Sequence, residues 1–177
     1  MENRISALCS EWSLYLESAT EQMQADIRDI IANRLIQYEQ GKSWADIAAM
    51  FFEYEYEYMD IVFYAFDKQE KVITKVIALP TKRSGNIIPD SKWNAFLPEA
   101  IWHKEQGLDE HYDKYNREKT SIFKEWFLTC WKTVAKGIGN IPDAYFSIHD
   151  TFFRTDLKTG ERVNNKQISA RLAEWNL

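Results

Sequence analysis

The sequence predicts a single α+β domain over residues 1–177, with an antiparallel sheet of about four to five strands packed with two long and several short helices. Three observations carry that expectation. Apolar residues recur at steps of three and four through the first forty positions and again through 109–136, which is the spacing of amphipathic helices. Between and after those stretches lie β-branched and aromatic runs of strand character. Only 6 Gly and 4 Pro occur in the 177 residues, so long regular elements are favoured over a many-turn sandwich.

The first helix is written most clearly. Ile5, Leu8, Cys9, Trp12, Leu16, Ala19, Met23, Ile27, Ile30, Ile31 and Leu35 form one stripe, with Glu, Gln, Asp and Arg opposite. It is expected from about residue 4 to about residue 39, with a break near Ser18–Thr20 and Gly41 as terminator. Ser43 and Asp46 then form a capping-box pattern ahead of a short helix through Ile47, Ala48 and Phe51. Residues 53–67, EYEYEYMDIVFYAFD, read as one long strand whose first half alternates Glu with Tyr. Asp67 to Glu70 is a polar turn, and Val72 to Leu79 is the natural antiparallel partner.

Residues 81–90 have loop composition, and Asp90 or Ser91 is placed to cap a short helix carrying Trp93, Phe96 and Leu97. The second long helix is expected from Asp109 to Lys136. Its first half is charged, and its second half presents Ile122, Phe123, Trp126, Phe127, Cys130, Trp131 and Val134 to the core. Gly137 and Gly139 end it. Residues 144–150 and 152–155 are strand-like, with a hairpin turn at 157–160 and Gly160 at its left-handed position. Asn164 with Gln167 caps a final helix from Ile168 to Trp175.

Composition limits the function. Net charge is −5 at pH 7, which opposes direct binding to nucleic acid or an anionic membrane, because phosphate contacts need clustered Lys and Arg. The balance suits a basic protein partner. The amphipathic N-terminal segment lacks the apolar core of a signal peptide, and no run reaches the ~18 apolar residues of a membrane span. A cytoplasmic location is therefore expected. Aromatics make up 15% of the chain, with 7 Trp, 9 Tyr and 10 Phe. A helix–sheet core absorbs many of these, and aromatic anchors at a protein interface account for others.

Motifs of catalysis and cofactor binding are missing. His103, His111 and His149 show no zinc-ligand spacing, and Cys9 and Cys130 read as buried thiols. There is no nucleophile elbow, no P-loop and no cofactor fingerprint, so no cofactor or metal is expected. Gly137-Ile138-Gly139 follows a helix and is explained by capping. Ser147 and His149 stand two apart on a strand and share a face. A polar solvent-facing stripe explains them, whereas a triad needs a carboxylate and an oxyanion hole that the sequence cannot locate.

Two acidic clusters are the candidate partner-binding residues. On a strand, Glu53, Glu55 and Glu57 point one way, roughly 7 Å apart, with Asp60 nearby. That row reads either as a solvated strand face or as a docking stripe for a basic partner. Glu105, Asp109, Glu110 and Asp113 gather at the start of the second long helix with Tyr112 among them. The helix dipole alone explains carboxylates there, and a protein-contact surface has the same composition.

Segments EYMDIVFYAFDKQEKV, IFKEWFLTCWKTV and DAYFSIHDTFFRTDLKTGE, behind a long N-terminal helix in an acidic chain, give an architecture that resembles bacterial immunity proteins. These are encoded beside polymorphic toxins, including those of contact-dependent growth inhibition systems. The resemblance implies tight, stoichiometric binding to a cognate toxin domain, often a nuclease, whose active site or substrate surface is blocked. It assigns no role to any single residue. Two other classes stay open: a small hydrolytic or ligand-binding enzyme around His149, Ser147 and the carboxylates of 53–60, and an adaptor subunit of a larger complex.

Overall fold

The computed structural model describes residues 2–55, 60–81, 87, 88, 92, 96 and 109–174, with the backbone alone at 2 and 109–112. In chain order these form α1 (Glu2–Ile31), a 3₁₀ turn (Trp44–Asp46), β1 (Ala49–Glu55), β2 (Asp60–Phe66) and β3 (Ile77–Leu79). There follow α2 (Asp109–Ala135), β4 (Asp143–Ile148), β5 (Phe153–Asp156), β6 (Arg162–Asn164) and α3 (Asn165–Glu174). The fold is α+β, as expected, but the sheet is larger and mixed. Six strands run in the order β3-β2-β1-β4-β5-β6. The central pair β1 and β4 is parallel and every other pairing is antiparallel. A parallel pair needs a crossover, and the segment holding α2 supplies it on one face of the sheet.

Alternation along the strands sorts the core. Phe52 and Tyr54 of β1, Ile61 and Phe63 of β2 and Phe146 of β4 face α1 and α2. The Tyr54 ring stacks on Phe123 of α2 at 4.0 Å, and Phe127 packs on Phe52 at 5.2 Å and on Phe146 at 5.0 Å. The two long helices lie side by side and run the same way. Cys9 approaches Glu118, the Trp12 indole N–H donates to the Lys119 carbonyl at 3.2 Å, and Trp126 donates to Thr20 at 2.9 Å. Most of the aromatic excess is consumed here.

Several boundaries differ from the sequence reading, each for a local reason. The first helix ends at Ile31, where Asn33 adopts φ 55. Arg34 N–H then bonds the Asp29 carbonyl at 2.8 Å and Asn33 N–H bonds that of Ile30 at 2.9 Å, which closes the helix by a Schellman motif with Asn in the left-handed position. Gly41 sits in a later turn. No break occurs at Ser18–Thr20, where the Ser18 and Thr20 hydroxyls bond back to the Tyr15 and Leu16 carbonyls inside the helix.

The long strand expected at 53–67 is two strands. Ala48 to Phe52, assigned to a helix, instead belong mostly to β1, and β1 pairs with β2 in the register Glu53↔Val62 and Glu55↔Asp60. Only Ile77–Leu79 of the 72–79 segment forms a regular strand, with bridges at Val72 and Thr74. The short helix near 91–97 lies outside the described residues save Lys92 and Phe96, the latter buried against Trp12 and Tyr15. β6 was not foreseen, being three residues long. The caps of α3 are as read: Asn164 and Gln167 exchange side-chain-to-backbone bonds at 3.0 and 2.9 Å.

Among the described residues, no helix is long and apolar enough to cross a membrane. Cys9 and Cys130 are buried free thiols whose pKa values burial pushes up to about 11 and about 12, so both are poor nucleophiles.

Candidate functional site

Among the described residues, one half of the sheet face turned away from the two long helices is covered by α3. Ile168 and Leu172 of α3 close over Ala49, Phe51, Tyr145 and Val163, forming a second small core. Beyond that lid the same face continues with Glu53 and Glu55 of β1, Asp60 and Tyr64 of β2, and Ser147 at the end of β4. The parallel register sets Ser147 opposite Glu53. One step further, the His149 N–H donates to the Tyr54 carbonyl at 2.9 Å, which continues the ladder and lands the imidazole beside Glu55.

The side chains converge. His149 Nδ1 lies 2.6 Å from Glu53 Oε1 and 3.0 Å from Glu55 Oε1, and its Nε2 lies 3.5 Å from Asp150 Oδ1. Glu53 Oε2 accepts from the Tyr64 hydroxyl at 2.9 Å and from Ser147 Oγ at 3.4 Å. The Glu53 and Glu55 side chains are 15% and 18% exposed and that of His149 41%, so two sheltered carboxylates meet one half-exposed imidazole.

The electrostatics follow from that packing. Hydrogen bonding to Glu53 is the largest influence on His149 and raises its pKa, with Glu55 and Asp150 adding to it. Burial raises the Glu55 pKa, and the neighbouring Glu53, Asp60 and Asp150 charges raise it further against the opposing His149. Burial raises Asp60 too. Tyr64 is pushed up to about 12 by burial and then by Glu53. Such a group can hold a proton between imidazole and carboxylate, or a cation on three donors. The Ser147 hydroxyl donates to the Glu53 carboxylate and not to the imidazole.

The structure brings together some of the residues singled out in the sequence and separates others. Glu53 and Glu55 share a face as expected, yet they are sheltered and bracket a histidine 94 to 96 positions away in the chain. Asp60 belongs to the neighbouring strand and faces Glu55 across the ladder. Glu57 and Glu105 lie outside the described residues. Asp109, Glu110 and Tyr112 are in the first turns of α2, and Asp113 is exposed. α2 packs on the opposite face of the sheet from the Glu53 group. Tyr64 and Asp150 were missed, and the only available signal was the period-two alternation that puts Tyr64 in phase with Asp60.

Past His149 the chain turns through Asp150, which has φ 59, into Phe152 and Phe153, which are 65% and 38% exposed. Arg162 stacks on the Phe153 ring at 3.8 Å. A cavity of about 550 Å³ opens beside these rings, lined by Lys124, Phe146 and Ser147 among others.

Compared with protein-family models, curated proteins and solved structures, the chain gives no match to any of them.

Proposed function

We propose that this chain is a cytoplasmic immunity protein that binds and neutralises a cognate toxin domain, a basic one such as a nuclease. The observation that carries the reading is the half-open sheet face. Asp150 is exposed at its edge, with Glu53, Glu55 and Asp60 more sheltered behind it, and the group adjoins a turn that exposes two phenylalanine rings. Exposed aromatics beside a charged patch are the composition of a protein-binding surface, where rings supply retention and charge speeds encounter. A patch with more carboxylates than cations favours a partner that normally grips phosphate. The resemblance in architecture to immunity proteins points the same way.

The test is co-expression with the polypeptide encoded by the adjacent reading frame. Protection of growth and co-purification as a one-to-one complex are expected. Phe152→Ser combined with Phe153→Ser, at positions outside the core, is expected to weaken the complex by at least about tenfold. Absence of both protection and co-purification would refute the reading.

A second reading, a small hydrolytic enzyme, is favoured by the gathering of His149 with two carboxylates. Turnover of a small substrate that is lost in His149→Ala would establish it in place of the first.

A further inference from the structure

A histidine nitrogen within hydrogen-bond reach of two carboxylate oxygens calls for positive charge at that point. We propose that Glu53, Glu55 and His149 bind one first-row divalent transition ion. This goes beyond toxin binding and does not depend on it.

Two donors come from β1 and the third from the residue that follows β4, the central strand pair of the sheet. Glu53 and Glu55 are two apart on β1 and so project from one face, and the parallel pairing with β4 carries His149 alongside. Their donor atoms all lie within 4.8 Å of one another. Bond lengths of about 2.0–2.2 Å set ligand atoms about 3 to 3.5 Å apart around a metal. The 3.0 Å separation from Glu55 already matches, and the 2.6 Å separation from Glu53 needs to open by less than an ångström.

The supporting groups fit the same role. Asp150 stands at the Nε2 side of His149, where it favours the tautomer with its proton on Nε2 and a lone pair on Nδ1. A metal at this point would take the place of the Nδ1 proton that otherwise bridges the imidazole to Glu53. Tyr64 and Ser147 both donate to the second oxygen of Glu53, leaving Oε1 to the metal. A third carboxylate stands on the same face. Asp60 Oδ1, on the same face and cross-strand from Glu55, is shut off from solvent and has no hydrogen-bond partner among the described residues. Its charge adds to the negative potential of this face, which favours a cation.

An imidazole with two carboxylates selects Zn²⁺, Mn²⁺ or a similar ion over Ca²⁺ and Mg²⁺, which prefer oxygen ligands throughout. Three protein donors also leave coordination positions open to water or to a partner's side chain.

The experiment is calorimetric titration of the chelator-stripped chain with ZnCl₂ and separately with CaCl₂. One Zn²⁺ per chain is expected, with Ca²⁺ bound at least about tenfold more weakly. His149→Ala and Glu55→Gln should each weaken Zn²⁺ binding by at least about tenfold, with unchanged far-ultraviolet circular dichroism. His103→Ala combined with His111→Ala should bind like the native chain. Co²⁺ in place of Zn²⁺ should give a visible d–d band that His149→Ala abolishes. Failure of the native chain to take up Zn²⁺, or equal uptake by the His149→Ala chain, overturns the proposal. Since the chain is titrated alone, neither outcome depends on a toxin partner.

Discussion

Removing the Asp26 carboxylate tests how the long first helix holds the rest of the fold. Asp26 is 2% exposed although it lies among the polar residues of α1. Its oxygens accept from the Thr81 N–H at 2.7 Å, from Thr81 Oγ1 at 2.9 Å and from Gln22 Nε2 at 2.9 Å. The two Thr81 bonds pin the segment after β3 to a helix 55 residues earlier. A hydrogen bond to a charged group contributes about 1.5–3 kcal/mol, and a buried donor left unpaired costs about 1–3 kcal/mol. Gln22 can turn to water, whereas the Thr81 amide is held in place. Asp26→Ala should therefore destabilise by about 3 kcal/mol, or a fall in Tm of about 6–12 °C for a chain of this size. Thr81→Val, which removes only the hydroxyl donor, should cost about 1 kcal/mol. In the double variant most of that second loss should vanish, because its acceptor is already gone. Urea denaturation followed by circular dichroism measures all three. An Asp26→Ala loss below about 1 kcal/mol, or strict additivity in the double variant, would refute the anchoring role.

Other consequences are as direct. Phe123→Ala should cost about 3–5 kcal/mol in the same denaturation assay, since the ring is fully buried between Trp12, Tyr54 and Trp126. Burial alone would raise the Asp156 pKa, but the Arg171 guanidinium and the Lys158 and Thr159 amides outweigh it and hold the carboxyl below its ordinary value. The unfolded chain therefore takes up that proton first, and the stabilisation present at neutral pH is withdrawn as pH falls below about 4. Asp156→Asn should flatten that acid limb in thermal melts between pH 3 and 7. Cys9 and Cys130 should resist iodoacetamide in the native chain at pH 8 and react fully in denaturant, as read by mass spectrometry.

What the amino-acid order determined by itself was local. The 3.6-residue stripe of α1, the apolar second half of α2, the Asn164–Gln167 cap and the left-handed Gly160 each depend on neighbours a few positions away, and each was legible. Asn33 shows the limit even there: its left-handed conformation ended α1 eight residues before Gly41 would have.

Tertiary structure decided what depends on distant pairing. The Glu/Tyr run of 53–58 has strand composition throughout, and nothing in it shows that the chain folds back between Glu55 and Asp60. The parallel pairing of β1 with β4 has no local signature, because it is set by the crossover segment and by burial of Phe52, Tyr54 and Phe146 under the helices. That register alone carries His149 to Glu53 and Glu55. A row of carboxylates expected to repel one another in solvent thus becomes a sheltered group around an imidazole, because the strand pairing brings a donor from the end of β4.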